Sequence, residues 1–205
     1  LNFVFSIHRP RAFVFDGAFP YRGMLNAIRV QDEGLLKIWV RRGTFKQNSK
    51  NIPAESIGAF DAVIRPGDST PQDYSKEMNH SVPIIRTNPI LLDTSDMGDG
   101  SDIRDRFGIP EYATICYVQL GAGKINEIDS EISITLDALS RYEHVYTIIG
   151  ESMIGERISH PEGRVRILRD YPNSQYFKQF DFSVIAGGYN SFHEVIDAAL
   201  PSICF

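Results

Sequence analysis

The chain has 205 residues, with Lys+Arg 21 against Asp+Glu 26 and a formal charge of -5. Hydrophobic residues make up 42% and charged residues 23%, which excludes wholesale disorder, and the acidic balance argues against nucleic acid as a partner. No apolar run approaches the roughly 18 residues of a membrane span. The length allows one or two domains, with a core that needs no disulfide or metal staple. The two cysteines, Cys116 and Cys204, lie in apolar stretches and read as buried, unbridged side chains of a reducing compartment.

In chain order, residues 1–7 form an apolar run too short for a secretory leader. Residues 12–15 predict a strand ending in Asp16-Gly17. Pro20 opens a helical segment with Met24, Leu25 and Ile28 at helical spacing. Residues 35–40, 61–65 and 82–85 predict three more strands, short and bounded by Gly, Pro or Asp. Residues 93–102 are acidic and glycine-rich and read as the start of a linker that ends at Pro110. A short helix over residues 103–107 precedes Gly108. Strands follow over residues 114–120, 145–149, 164–168, 182–186 and 202–205. Ile128, Ile132, Leu136 and Leu139 mark one amphipathic helix, and residues 176–180 a short one. Phe192, Val195, Ile196, Ala199 and Leu200 mark the last. Strands alternating with helices predict an α/β chain with parallel sheets and right-handed crossovers. The expected division is residues 1–92, a linker over 93–110, and residues 111–205. Neither end resembles a natural domain limit, so the chain reads as a piece of a larger protein.

A doubly wound second half, with strand order 3-2-1-4-5, reverses direction between its first and fourth strands. Ligands of such sheets bind beyond the carboxyl ends of those strands. The loops there are Gly121-Ala122-Gly123-Lys124-Ile125-Asn126 and Gly187-Gly188-Tyr189-Asn190-Ser191. The first fails the P-loop pattern, because Val118 takes the first Gly position and neither Ser nor Thr follows Lys124. It fails G-x-G-x-x-G because Asn126 replaces the last Gly. The second is more informative. Two glycines let a ligand approach the backbone, and the following helix offers N–H groups and its positive dipole end to phosphate oxygens. Asn190 and Ser191 add short polar donors. Glu194, about one turn in, can accept from ribose hydroxyls. Ser191 and Glu194 also fit a capping box, which would serve the backbone alone. Tyr189 and His193 are further candidates, with His193 facing either the crevice or the helix surface.

The stretch Ala186-Gly-Gly-Tyr-Asn-Ser-Phe-His-Glu194 resembles the donor box of sugar-nucleotide-dependent glycosyltransferases of the GT-B fold. The resemblance is to the group of the GlcNAc transferase that builds the peptidoglycan lipid intermediate, and more distantly to plant glucosyltransferases. Leu168-Arg-Asp-Tyr-Pro172 and Ala199-Leu-Pro-Ser-Ile203 flank the box as they do in that family. The match covers residues 112–205; residues 1–90 resemble the end of the acceptor-side domain. The resemblance implies two Rossmann-like domains, incomplete at both ends. It assigns the donor diphosphate to Gly187, Gly188, Asn190 and Ser191, with Gly121, Ala122, Gly123 and Asn126 opposite. It assigns the ribose to Glu194 and the base to Arg169, Asp170 and Tyr171. Ala186 stands where the plant enzymes carry a phosphate-contacting His.

The implied reaction is metal-independent transfer of a sugar from UDP to a hydroxyl, on a sugar, a lipid-linked acceptor or a small molecule, with no cofactor. No Asp-x-Asp or His cluster has metal spacing. Asp16, at a strand end, is the candidate base; Arg22, Arg65 and Asp68 sit at similar ends and read equally as solvated or ion-paired. Hydrolysis or epimerisation of a nucleotide sugar is the alternative chemistry. A donor-binding subunit inactive without a partner is the alternative class. A cytoplasmic protein is expected, peripheral to the membrane if lipid-linked. Little turnover is expected of residues 1–205 alone.

Overall fold

The computed structural model describes residues 1–31, 34–42, 54–68, 81–94, 101–121, 129–151 and 162–204. The chain divides into two compact units, Leu1–Ile90 and Leu91–Phe205.

In the first unit, β1 (Ala12–Asp16), β2 (Leu36–Val40), β3 (Ala62–Pro66) and β4 (Ile84–Thr87) form a parallel sheet in that order. Strands added always on the same side by right-handed crossovers send their connections to one face. That face holds the core. Phe5 of α1 (Asn2–His8), Leu25 and Ile28 of α2 (Arg22–Arg29) and Ile57 of α3 (Ala54–Ile57) pack there on Trp39 and Val63. Trp39 is fully buried, 6.3 Å from the Phe15 ring and 5.5 Å from Phe60. Its Nε1–H donates to the Gly17 carbonyl at 2.8 Å, so the indole hides no unmet donor. Val14, Leu36 and Ile85, on the opposite face, are exposed.

The apolar run at residues 1–7 lies in a helix, and its Phe5 docks edge-on against Phe13 with ring centroids 5.6 Å apart. A run that short shows no clear period in sequence. The fourth strand starts at Ile84 rather than at residue 82: Val63 N–H bonds the Pro83 carbonyl at 3.0 Å, but Pro83 has no N–H to continue the ladder.

In the second unit, β5 (Thr114–Gln119), β6 (Val145–Gly150), β7 (Val165–Leu168), β8 (Phe182–Ile185) and β9 (Ser202–Cys204) are parallel in the order β7-β6-β5-β8-β9. This is the 3-2-1-4-5 order. Ile115 and Tyr117 point to one face, Cys116 and Val118 to the other. On the first, Val195 of α6 (Tyr189–Asp197), Ile103 of α4 (Ile103–Phe107) and Phe177 of the 3-10 helix Asn173–Gln179 cover Ile148 and Ile185. On the second, Ile132 and Leu139 of α5 (Asp129–Ser140) cover Cys116 and Val118. Ile103 and Ile109, inside the stretch read as a linker, are buried in this unit's core. Asp102 caps α4 by accepting from the Arg104 and Asp105 N–H groups, and Gly108, with φ 63, closes it.

The last helix ends sooner than its apolar spacing predicts. Ala199 turns left-handed at φ 52, and the Leu200 N–H reaches back to the Val195 carbonyl at 2.9 Å. Ile196 is left exposed, and His193 takes an inward position instead. Both cysteines are free. Burial pushes the Cys116 thiol up to about 12, whereas Cys204 is exposed on β9, the outermost strand, and not buried as its sequence suggests.

Gly150 ends β6 against Tyr117. A Cβ there would lie 2.1 Å from the Tyr117 hydroxyl and 2.8 Å from Asn173 Nδ2. Gly150→Ala should therefore destabilise the protein by about 1–3 kcal/mol in urea unfolding. Adding Tyr117→Phe, which removes the nearest atom, should recover part of that loss; no recovery would mean that this packing is misread.

Candidate functional site

The crevice is built at the carboxyl ends of β5 and β8. Gln119 pairs with Ile185, and the Ala186 N–H donates to the Gln119 carbonyl at 2.9 Å. Beyond that bond the two strands part. β5 leaves through Leu120 and the exposed Gly121, whose φ of 105 only glycine adopts without strain. β8 leaves through Gly187 and Gly188, where the Gly188 N–H folds back to the Ala186 carbonyl at 2.7 Å. Gly188 then caps α6 with no side chain over the helix end, and the first helical bond runs from Phe192 N–H to the Gly188 carbonyl at 3.0 Å. A helix's first turn lacks intrahelical acceptors for its N–H groups and carries the positive dipole end. A Cβ on Gly188 would meet no atom within 4 Å, and its φ of -68 suits any residue. Neither packing nor backbone geometry calls for glycine there. The bare Cα keeps the helix end open to an incoming group.

This geometry removes the capping-box reading. Ser191 is the third residue of α6 rather than its cap, and its Oγ points at Gln119 Oε1, 3.4 Å away. Gln119 Oε1 also accepts from the Tyr117 hydroxyl at 3.0 Å, which in turn accepts from Asn173 Nδ2 at 3.2 Å. A polar chain thus runs under the crevice from the 3-10 helix to the first turn of α6. Burial raises the Tyr117 phenol above its ordinary value, so it stays a neutral donor. None of these three residues was expected from sequence. The one local signal is Gln119 at the end of the apolar run from Ile115.

Glu194 is half-buried, and burial raises its carboxyl above the ordinary range. It lines a cavity of about 770 Å³ together with Asp197, Ser174, Gln175 and Lys178. Asn190 is exposed, while Tyr189 is half-buried with its ring 4.5 Å from that of His193. His193 is 3% exposed and turned inward, away from the outer helix surface. Of the first loop, Gly121 is placed at the crevice; Ala122, Gly123 and Asn126 lie outside the described residues. The three residues assigned to the base follow β7. Arg169 pairs with Glu151 at 2.6 Å, and Asp170 pairs with Arg106 at 3.0 Å and accepts from the Tyr176 hydroxyl. Tyr171 presents its ring to solvent. In the first unit, both Asp16 oxygens accept from Arg42, at 3.0 and 2.8 Å. Among the described residues no group of three or more His, Cys, Asp or Glu gathers as a metal site, and no helix is long and apolar enough to cross a membrane.

No protein-family model matches the chain, and no curated protein does. Solved structures do match. MnaA of S. aureus, solved with UDP, aligns with a TM-score of 0.67 at 12% identity, over 98% of this chain and 58% of that one. The glycosyltransferase SnogD from Streptomyces nogalater aligns at 0.57 and 14% identity, over 98% and 57%. The spinosyn forosaminyltransferase SpnP aligns at 0.56 and 13% identity, over 99% and 59%. The chain has the GT-B-type glycosyltransferase fold. It spans 58%, 59% and 57% of the lengths of MnaA, SpnP and SnogD, and at these identities the likeness is one of fold.

Asp170 sets a pH dependence within the second unit of this GT-B-type chain. The Tyr176 hydroxyl first, and Arg106 second, hold its carboxyl below the ordinary range. A lowered folded value means that the stabilisation is present above the unfolded value of about 3.9 and is lost as pH falls through the folded one. Because the pair is exposed, the effect is modest. Asp170→Asn should lower urea stability at neutral pH, and the two proteins should converge in strong acid. A constant gap across pH would show that the carboxyl is not held by these partners.

Proposed function

We propose that the chain is the donor-binding part, with the adjoining portion of the acceptor side, of a glycosyltransferase. It would move a sugar from a nucleoside diphosphate, UDP, to a hydroxyl acceptor. The observation that carries this reading is the uncapped start of α6 behind Gly187 and Gly188, set at the strand-order reversal, with Glu194 one turn further in. The first turn of α6 offers N–H groups and a positive dipole end to the diphosphate, including the charge that grows on it as the sugar leaves. Asn190 and Ser191 add polar contacts, and Gln119 orients Ser191. Gly121 brings bare backbone to the other side of the crevice, with Ala122, Gly123 and Asn126 following it. Glu194 accepts from the ribose hydroxyls. Tyr171, with its exposed ring, stacks on the base, while Arg169 and Asp170 hold that turn through their ion pairs. MnaA, solved with UDP, and the glycosyltransferases SpnP and SnogD share this fold, which supports the same reading.

The test is calorimetric. UDP and pyrophosphate should both bind. Glu194→Ala should weaken UDP by about tenfold and leave pyrophosphate nearly unchanged, since only ribose contacts are lost. Gly188→Ala should weaken both, while costing no more than about 1 kcal/mol of stability. Equal losses for both ligands in Glu194→Ala would deny it the ribose. Labelled UDP-sugar without acceptor then separates the chemistries. Free sugar or an epimer would replace transfer with hydrolysis or epimerisation.

A further inference from the structure

The cavity beside Glu194 holds more chemistry than one contact to a ribose uses. At about 770 Å³ it has the size of a small-molecule site. Its lining among the described residues belongs wholly to the second unit. One part of the wall is α6 and its end, through Glu194, Asp197 and Ala198. Another is the 3-10 helix, through Ser174, Gln175 and Lys178, which begins two residues after Tyr171. Glu194, Asp197 and Lys178 share this cavity without pairing with one another. None of the three has a hydrogen bond or ion pair among the described residues.

Each of these groups carries a local cost. Glu194 loses water to burial and gains no bond in return. Asp197 is the last residue of α6, at the negative end of the helix dipole, where an acid is disfavoured. Ser174 Oγ is buried with no hydrogen-bond partner, whereas buried hydroxyls are ordinarily bonded. Departures of this kind gather where a ligand completes the structure. The chemistry narrows the ligand. Ionised carboxylates accept and do not donate. Residues three apart on a helix are surface neighbours, with about 5–6 Å between Cβ atoms, so Glu194 and Asp197 offer two acceptors side by side. Among the described residues no third His, Cys, Asp or Glu joins them as a metal site. Two adjacent hydroxyls fit the pair.

We infer that Asp197 is a second ribose-binding residue, and that it makes the cavity selective for ribonucleosides over 2′-deoxyribonucleosides. The step rests on the donor reading above, in which Glu194 meets the ribose. The order along α6 divides the work. The start of the helix takes the diphosphate, Glu194 follows, and Asp197 lies about 4.5 Å further along the axis. A ribose runs the same way, from its 5′ phosphate to the 3′ hydroxyl and then the 2′ hydroxyl. Glu194 accepts from the 3′ hydroxyl and Asp197 from the 2′ hydroxyl. Ser174 and Lys178 meet the nucleoside from the 3-10 helix, which follows the turn assigned to the base.

The experiment is calorimetry on the whole chain with UDP, 2′-deoxy-UDP, uridine and 2′-deoxyuridine. Each ribo ligand should bind about tenfold more tightly than its deoxy counterpart. Asp197→Ala, at an exposed position, should bring that ratio close to one. The ratio is the readout, because removing a carboxylate also relieves repulsion of the diphosphate and strengthens UDP and 2′-deoxy-UDP alike. Asp197→Asn, which keeps an acceptor oxygen, should retain part of the preference. Equal binding of ribo and deoxy ligands, or a ratio unchanged in Asp197→Ala, would overturn the assignment. So would the failure of all four ligands to bind. A preference for uridine that Asp197→Ala abolishes, in a protein that binds UDP no more tightly than uridine, would sustain the ribose site and sink the donor reading. UDP bound far more tightly than uridine, with no preference for the ribo form, would do the reverse.

Discussion

The handedness of the crossovers in the second sheet is the constraint from which its site follows. The sheet grows from β5 in one direction through β6 and in the other through β8. Right-handed connections then force α5 onto one face and α6 onto the other. The chains leaving β5 and β8 must part, and the gap between them is lined by backbone. One hydrogen bond, from Ala186 N–H to the Gln119 carbonyl, is the last link before they separate. The glycines and the first turn of α6, to which the diphosphate is assigned, follow directly from that link.

What fills the gap is set by short-range physics. Gly188 brings the open end of α6 to the mouth, while the chain from Asn173 through Tyr117 to Gln119 fixes the floor. The floor is held in place because Tyr117 and Asn173 are buried and bonded to each other, because Tyr117 also bonds Gln119, and because Gly150 has no side chain to displace the Tyr117 hydroxyl. A carboxylate beside a diphosphate would ordinarily repel it. On the donor reading proposed above, Glu194 would avoid this by distance, since six residues of helix rise about 9 Å from Gly188. That length suits the span from a phosphate to a ribose, not direct contact with the phosphate. Burial also raises its pKa above the ordinary carboxyl value.

Much of this was legible in the sequence, and for a definite reason. Short apolar runs punctuated by Gly, Pro and Asp give the strands, and their alternation with helices is met in the second half by the doubly wound order supposed for it. The order places the crevice, and the paired glycines mark it independently. What escaped was whatever depends on contacts between distant residues. Asn173, Tyr117 and Gln119 meet only after β5 and the 3-10 helix pack together. The inward turn of His193 depends on where α6 stops, which Ala199 decides through a left-handed conformation that no alanine announces. Phe5 shows its role only through Phe13.

At the carboxyl edge of the second sheet the positive potential comes from a helix end and glycine backbone. Dipoles and N–H groups hold an anion without a full counter-charge, which on the proposed reading suits a diphosphate that must depart as the sugar leaves.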